Sequence, residues 1–453
     1  MTVLSETKRY QAYPEYKDSG VEWLENVPSE WDIIKIKHLS PVKRGASPRP
    51  IDDPKYFDEE GEYAWVRIAD VSASKMFLET TTQTLSELGS SLSVRLEPNQ
   101  LFLSIAGTVG KPCINKIKAC IHDGFVYFPD LKIPNKYLFY VFAGEQAYKG
   151  LGKMGTQLNL NTDTVGDIKV ALPRNFAHVE HIVHFLDHEI AKIDTLIDKQ
   201  QQLIKLLKEK RQAVISHAVT KGLNADAQMK DSGVEWLGEV PEHWDVCLFK
   251  YKCSEVTDGA HISPETNGGE HYFVSIRDIK DGVINFNGAL LTSPSSYQYL
   301  VKTGCMPFEG DVLFSKDGTI GQTAITPSQI DFVVASSLII IRPDRAKVTP
   351  EFLDFILQSS LVKEQVESFV KGAALRRLSI QNLLKVFGVF PQIDEQIEIV
   401  EYVQSKLVKF QELETQANKQ VSLLRERRTA LISAAVTGKI DVRDFDGVSN
   451  DTK

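Results

Sequence analysis

The sequence predicts an α+β protein made of two tandem copies of one unit, each an α+β domain followed by a long helix. Three observations support this prediction. A tryptophan-containing segment occurs twice, short strand-like runs follow each copy, and a heptad-patterned stretch ends each copy.

The repeated segment is KDSGVEWLENVPSEWDIIKIK at residues 17–37 and KDSGVEWLGEVPEHWDVCLFK at residues 230–250. The two copies are too similar to have arisen by chance. Both are rich in turn-forming residues and carry paired tryptophans, namely Trp23 and Trp31, then Trp236 and Trp244. We interpret these side chains as aromatic plugs that dock the chain onto a domain edge.

After each copy come short runs of β-branched and aromatic residues separated by Gly, Pro and Asp, which have the length and composition of strands. The runs lie at residues 63–71, 100–105 and 125–129, and at residues 272–279, 311–315 and 338–342. Residues 135–147 and 350–369 are predicted helices, because a proline stands near the first turn and apolar residues follow at helical spacing. Each region is therefore predicted to be an α+β domain.

Two long helices complete the units, each with apolar residues at the alternating three- and four-residue spacing of a coiled-coil seam. The predicted seam residues are Leu186, Ile190, Ile193, Ile197, Ile204 and Leu207 in the first helix, and Val403, Leu407, Phe410, Val421, Leu424 and Leu431 in the second. Pro173 and Pro391 precede the helices, and Gly222 and Gly438 follow their last turns as C′ glycines. Since an isolated helix would expose this stripe to water, the two helices are predicted to pack on each other.

These elements divide the chain into five segments. Residues 1–172 hold the first anchor and domain, 173–222 the first long helix, 223–390 the repeated anchor and second domain, and 391–440 the second long helix. The polar residues 441–453 are predicted to be a disordered tail.

Composition limits the function classes. At 453 residues and 42% hydrophobic the chain can bury substantial cores. It has no apolar run of membrane-spanning length and no apolar signal core at its N-terminus, so a cytosolic protein is expected. Five cysteines without CxxC spacing favour reduced thiols, and Cys247 and Cys253 lack the partners that a zinc site would need. The net charge of −8 argues against a nucleic-acid partner when taken alone, although contact surfaces are local.

No motif predicts catalysis. The loop at residues 106–111 contains Gly107, Gly110 and Lys111, but it lacks the first glycine of a phosphate-binding loop and the Ser or Thr after the lysine. We interpret it as a tight turn closing a strand pair. His181, His184 and His188 share a helical face without counterparts in the second copy, and we interpret them as a solvated face. Neither a base-methylation motif nor a Ser/His/Asp signature is present.

Basic and polar residues do recur next to turns in both domains, and such residues can contact phosphates and base edges. Ordinary solvated surface charge is the alternative for any one of them. The candidates for DNA binding are Lys43, Arg44, Arg49, Arg67, Lys111, Lys153 and Gln157 in the first domain, and His261, Arg277, Lys316, Lys371, Arg376 and Arg377 in the second.

Taken together, the motifs resemble the DNA-specificity (S) subunit of type I restriction–modification systems. The resemblance rests on the paired SGVEWL…VP…W segments, the run DGAHISP at 258–264, the run FVSIRDI at 273–279, the run GDVLFS at 310–315 with GTIG at 318–321, and Pro391 with the following EQI at 395–397. The first copy departs from it, having Arg44-Gly45-Ala46 in place of the Asp-Gly-x-His pattern and Glu180-His181 in place of Glu-Gln.

The resemblance implies two target-recognition domains, each reading half of a bipartite DNA sequence, separated by two long helices that pair as an antiparallel coiled coil. It implies double-stranded DNA, two modification (methyltransferase) subunits and two restriction subunits as partners. The S subunit itself would be non-catalytic and hold no cofactor or metal, while its partners would use S-adenosylmethionine, ATP and Mg²⁺. The competing hypothesis is a coiled-coil scaffold that binds only proteins.

Overall fold

A computed structural model of the chain describes residues 10–151, 160–234, 237–267, 269–280, 282–370 and 377–445. It divides into two compact units. The first unit comprises Met1–Gln200 and Lys419–Lys453, and the second comprises Gln201–Asn418. Each unit therefore contains one α+β domain together with parts of both long helices.

In the first unit, a five-stranded sheet lies beside a four-stranded sheet. The five-stranded sheet has the order Lys43–Arg44, Phe125–Tyr127, Leu101–Ser104, Pro112–Asn115 and Phe77–Leu78. The four-stranded sheet has the order Thr84–Leu85, Tyr63–Val66, Ala119–Ile121 and Val94–Leu96. Two further strand pairs are Tyr16–Asp18 with Asn26–Pro28, and Trp31–Lys35 with Lys169–Pro173. The short helices are Ile36–Leu39, Ile68–Ala73, Glu87–Ser91, Asn135–Ala143 and Thr162–Asp167, with 3₁₀ turns at Pro54–Tyr56 and Gln146–Tyr148.

The second unit is built on the same plan. A four-stranded sheet has the order Cys253–Asp258, Leu338–Pro343, Val312–Ser315 and Thr323–Ile325, and a three-stranded sheet has the order Leu290–Thr292, His271–Val274 and Phe332–Val334. The strand pairs are Met229–Asp231 with Glu239–Pro241, Asp245–Leu248 with Phe387–Phe390, and Ile279–Lys280 with Val283–Ile284. The short helices are Pro294–Lys302, Pro350–Gln358, Ser360–Phe369 and Ile380–Leu383, with 3₁₀ turns at Phe249–Tyr251, Ile276–Asp278 and Phe286–Gly288.

The two long helices span Phe176–Lys221 and Ile393–Val436. In the first unit, Asp194 of the first long helix accepts a hydrogen bond of 3.0 Å from Arg428 of the second. In the second unit, Gly222 at the end of the first helix lies against Glu395 at the start of the second. One end of each helix thus meets the opposite end of the other, so the helices run antiparallel.

All twelve predicted seam residues are buried or half-buried, as the coiled-coil prediction requires. Near the domains the burial shifts to neighbouring positions of the helices. Ile215 and Val219 enter the core of the second unit, and Ile432 is fully buried in the first. The heptad pattern is therefore replaced there by packing on the domain, which a periodicity argument does not anticipate.

The two anchor tryptophans Trp31 and Trp244 are fully buried. A Cβ placed on Gly438 would lie 3.2 Å from the Trp31 ring, and one on Gly222 would lie 3.3 Å from the Trp244 ring. Both glycines have positive φ, +70° and +77°, as predicted for residues that end a helix. Each anchor therefore packs against the turn that ends a long helix, while the strand beginning at or just after its tryptophan pairs with the last strand of the domain. Trp236 lies outside the described residues.

Three predictions about elements were wrong in part. Residues 63–71 form a strand only to Val66, because Asp70 accepts a hydrogen bond from the Arg67 amide and starts a helix. Residues 272–279 likewise leave the strand after Val274 for the 3₁₀ turn. The predicted helix at 350–369 is two helices, because extended backbone at Ser359 ends the first while its hydroxyl caps the second.

The predicted disordered tail needs a correction for residues 441–445. Asp441 bridges to Gln11, and Arg443 binds Asp441 at 2.6 Å and lies over the Tyr13 ring. Phe445 packs edge-on against Phe185 at 5.1 Å between ring centroids. Polar composition suggested a solvated tail, but these side chains find partners on the first unit. Residues 446–453 lie outside the described part of the chain.

Among the described helices, none is long and apolar enough to cross a membrane.

Candidate nucleic-acid interface

A glycine-rich hairpin turn lies at one end of each domain. In the first unit it joins strands Leu101–Ser104 and Pro112–Asn115, with φ of +63° at Gly107 and +86° at Gly110. In the second unit it joins Val312–Ser315 and Thr323–Ile325, with φ of +66° at Gly318 and +92° at Gly321. Because positive φ strains any other residue, glycine at these positions permits the tight turn. The interpretation of residues 106–111 as a turn closing a strand pair is confirmed.

Two other glycines bring a second loop against a third loop that lies beside this turn. A Cβ on Gly45 would lie 2.2 Å from the His122 carbonyl oxygen, and one on Gly259 would lie 2.1 Å from that of Ala335. Only glycine allows the chain to approach the neighbouring backbone so closely. In each unit three loops therefore meet, and we name this arrangement the three-loop cluster. It comprises residues 44–49, 106–111 and 122–124 in the first unit, and residues 258–261, 316–322 and 335–337 in the second. The third loop contacts the glycine turn in both units, since a Cβ on Gly124 would lie 3.3 Å from that of Ala106 and the Lys316 amide donates to the Ser337 backbone oxygen at 3.0 Å.

The cluster of the first unit is rich in arginine. Arg44 donates from Nε to the backbone oxygen of Asp123 at 2.6 Å, and Arg49 pairs with the Asp123 carboxylate at 3.4 Å. The Arg49 side chain is 81% exposed, and Lys43 and Arg44 are exposed on the adjoining edge strand. Asp123 thus holds both arginines at the surface, one through its backbone oxygen and one through its carboxylate, with donors left for a ligand.

Arg67 and Lys111 are the remaining described candidates of the first unit, and both lie near helix Ile68–Ala73. Lys111 donates to the backbone oxygen of Ser72 at 2.7 Å, next to the 2.7 Å hydroxyl contact between Ser72 and Thr108. Burial lowers the pKa of the Lys111 amine. Arg67 is exposed and bonds the Thr82 hydroxyl. Arg67 is therefore displayed at the surface, whereas Lys111 is half-buried and fastens the turn to helix Ile68–Ala73.

In the second unit the candidates differ sharply in exposure. Lys316 is buried and pairs with one oxygen of Asp258, whose other oxygen contacts His261 Nε2 at 3.3 Å. The Lys316 side chain is only 4% exposed, whereas that of His261 is 62% exposed. The prediction that Lys316 itself contacts DNA stays a prediction, and the burial of its ammonium beside Asp258 argues against it.

Arg277 and Arg377 flank this cluster. Arg277 is exposed on the 3₁₀ turn Ile276–Asp278, whose first amide donates to the Ser337 hydroxyl at 3.3 Å. Arg377 binds Asp317 of the glycine turn through two contacts, of 2.9 and 3.2 Å. Arg277 thus faces solvent, while Arg377 is partly committed to the turn. Four candidates, Lys153, Gln157, Lys371 and Arg376, lie outside the described residues.

Sequence reasoning missed the acids that hold these cations. Asp123, Asp258 and Asp317 each contact one or more of the candidate basic residues. All three are followed by glycine, in the pairs 123–124, 258–259 and 317–318. Since Asp-Gly pairs mark tight turns, a search for such pairs near basic residues could have found them.

Among the described residues, no group of three or more His, Cys, Asp or Glu could hold a metal ion, and all five cysteines are free. Burial raises the pKa of the Cys253 thiol to about 12. His181 and His184 are exposed, but His184 and His188 also lie against the Phe445 ring, so the face predicted to be solvated is partly covered.

Comparison with known proteins places these observations in a family. The family model described as the type I restriction modification DNA specificity domain matches residues 28–208 and 254–423, which together make up most of the chain. The chain belongs to this family. The first match begins within the first anchor and the second begins just after the repeated anchor, and each ends within a long helix.

One curated relative is similar to this chain at a low sequence identity. The chain is 24% identical over 303 residues to the type I restriction enzyme EcoBI specificity subunit of Escherichia coli, covering 63% of this chain and 61% of that subunit. The chain thus spans less than two thirds of that relative's length.

Two solved structures are similar to this type I family member. A chain from a type I restriction–modification system, solved to explain complex assembly and conformational transition, matches with a TM-score of 0.66 and 14% identity, over 90% of this chain and 98% of that one. The HsdS subunit from Thermoanaerobacter tengcongensis matches with a TM-score of 0.45 and 14% identity, over 91% and 98%. The fold similarity rests on the first of the two.

Proposed function

We propose that this chain is the DNA-specificity subunit of a type I restriction–modification complex, in which each unit reads one half of a bipartite, asymmetric DNA target. The observation that supports this most is the three-loop cluster, which occurs in both units on one backbone plan but with different charged residues. Two readers of common origin and different surface chemistry suit two different half-sites.

The charges of the clusters are consistent with DNA as the ligand. Exposed guanidinium groups such as Arg44, Arg49 and Arg277 can bind phosphate oxygens or the acceptors of guanine in the major groove. The net charge of −8 is then a property of the whole chain and not of these surfaces. Partner subunits would supply further phosphate-neutralising charge, and they would make the affinity of the complex depend on salt.

The partners follow from the same proposal. Two modification subunits would methylate adenine with S-adenosylmethionine, and two restriction subunits would use ATP and Mg²⁺, while this chain would itself be non-catalytic and free of cofactors. The family assignment supports a recognition subunit over an enzyme. The long helices would serve as the spacer between the two readers.

A domain exchange tests the proposal. The full chain is purified with its modification subunits, and methylated sites are mapped on genomic DNA before and after residues 38–172 are replaced by those of a family member with another target. We expect one half-site to change and the other to persist. The reciprocal exchange of residues 251–386 is the matched control and should change only the other half-site.

Two results would contradict this function. One is a wild-type complex that binds and methylates random and selected DNA alike, which would favour the scaffold hypothesis. The other is a change in both half-sites after a single exchange, which would mean that the units do not read independently.

A further inference from the structure

The buried Lys316 of the second unit has no counterpart in the first. Ser315 and Gly318 of the second glycine turn correspond to Ser104 and Gly107 of the first, so that Ile105 stands where Lys316 does. On the neighbouring loop, Gly45 and Gly259 make the same close approach to a carbonyl oxygen. Arg44 therefore stands where the second unit has Asp258.

The first unit shows that the fold does not need this lysine. The same hairpin and the same glycine contact form there with an isoleucine and an arginine. A buried ammonium is costly to desolvate, and an apolar residue of similar size often serves stability equally well. The lysine and its aspartate are thus better explained by what they hold than by stability.

What they hold is His261. The backbone of Lys316 is fixed on both sides, since its amide donates to Ser337 at 3.0 Å and its carbonyl accepts from Leu378 at 3.0 Å. Its ammonium then fixes one oxygen of Asp258, and the other oxygen contacts the exposed imidazole of His261 at 3.3 Å. The chain of contacts therefore runs from the buried Lys316 to the surface, where the partly exposed Asp258 carboxylate lies beside His261 Nε2.

Resting on the proposed function, we propose that Asp258 and His261 form a specificity-determining contact of the second unit, and that Lys316 is the positioning residue for that pair. A carboxylate accepts from an exocyclic amino group at a base edge, as aspartate and glutamate do with cytosine N4. The imidazole contributes a neighbouring contact and keeps the carboxylate oriented. Arg44 at the matching place in the first unit presents donors instead, so the two readers favour opposite hydrogen-bonding partners.

The test uses the full chain with its modification subunits and a library of targets in which each position of both half-sites is varied. His261→Ala lies at the surface and should fold normally. It should relax one position of the second reader's half-site by about tenfold or more, the scale expected when one base contact is removed, and leave the other half-site unchanged. Lys316→Met should relax the same position, and Lys316→Arg, which keeps the charge, should restore most of the preference.

Lys252→Met is the matched control. Lys252 is also a buried lysine of the second unit in an ion pair, with Asp245 at 3.3 Å, but it lies in the turn that precedes strand Cys253–Asp258. The Lys252→Met variant should lower the unfolding temperature without altering the preferred DNA sequence. A Lys316→Met variant that behaves like this control, or a His261→Ala variant with the wild-type preference, overturns the inference. A wild type without any sequence preference would instead refute the proposed function.

Discussion

Asp354 gives the second unit a pH-dependent stability that one substitution should remove. This residue lies on helix Pro350–Gln358, and its Oδ2 accepts a hydrogen bond of 2.7 Å from Gln358. Burial raises the pKa of its carboxyl from 3.8 to about 6, against the opposing effects of Thr323 and Gln358. The folded protein thus prefers the neutral acid at this position.

The sign and size of the effect follow from linkage. A carboxyl whose pKa is raised by folding favours the folded state fully below the unfolded pKa of 3.8, and that advantage is lost as the pH rises through about 6. Each pKa unit corresponds to about 1.4 kcal/mol, so the charged Asp354 costs the folded state about 3 kcal/mol at neutral pH. Asp354→Asn removes this cost and still accepts from Gln358.

The expected outcome is a variant more stable than the wild type by up to about 3 kcal/mol at pH 7.5, with a difference that shrinks below pH 6 and vanishes near pH 4. Urea denaturation of the full chain measures the difference in unfolding free energy. Hydrogen exchange in peptides covering residues 350–358 then measures the difference at this helix. Glu364→Gln removes an exposed carboxyl from the next helix and should show no such trend. An Asp354→Asn variant that is destabilised at pH 7.5, or a gain independent of pH, would refute the reasoning.

Two further predictions concern the three-loop clusters. Replacing Arg44 and Arg49 by alanine should weaken binding to all DNA sequences and reduce the salt slope by about one for each phosphate that is no longer neutralised, as measured by titration at several salt concentrations. Lys118→Ala, at the other end of the strand that leads into the cluster, should leave the slope unchanged. Gly259→Ala places a Cβ 2.1 Å from a carbonyl oxygen and should cost about 1–3 kcal/mol in unfolding free energy, whereas Gly288→Ala meets nothing within 4 Å and should cost far less. Equal unfolding free energies for the two glycine variants would contradict this.

The repeat made much of the fold predictable. Trp31 and Trp244 occupy the same place in matching segments, and both prove to be buried against the glycine that ends a long helix. Duplication turned a weak pattern into a strong one, because a feature that occurs twice is unlikely to be accidental. The helix ends at Gly222 and Gly438 were predictable for a second reason, since the αL conformation at C′ favours glycine, which has no Cβ.

What the sequence could not reveal depends on tertiary contacts. The run ending at Val71 has strand composition, yet a side-chain bond from Asp70 turns its second half into a helix. The sequence around Lys316 predicts a surface cation next to a turn. Only the contact with Asp258 from another strand shows that the Lys316 side chain is buried. Propensity describes a residue and its neighbours in sequence, whereas burial depends on which segments the fold brings together.

The contrast between the clusters accounts for how one fold can carry two recognition surfaces. The glycines at 45 and 259 are required by backbone geometry, so they persist in both units. The side chains beside them are not so constrained, because an acid on one loop can be exchanged for a base if another loop supplies a suitable hydrogen-bonding partner. The backbone oxygen of Asp123 does this for Arg44, and the ammonium of Lys316 does it for Asp258. Each cluster can therefore change the hydrogen-bonding groups that it presents while the backbone plan of the three loops is kept, which allows the two recognition surfaces to diverge on one fold.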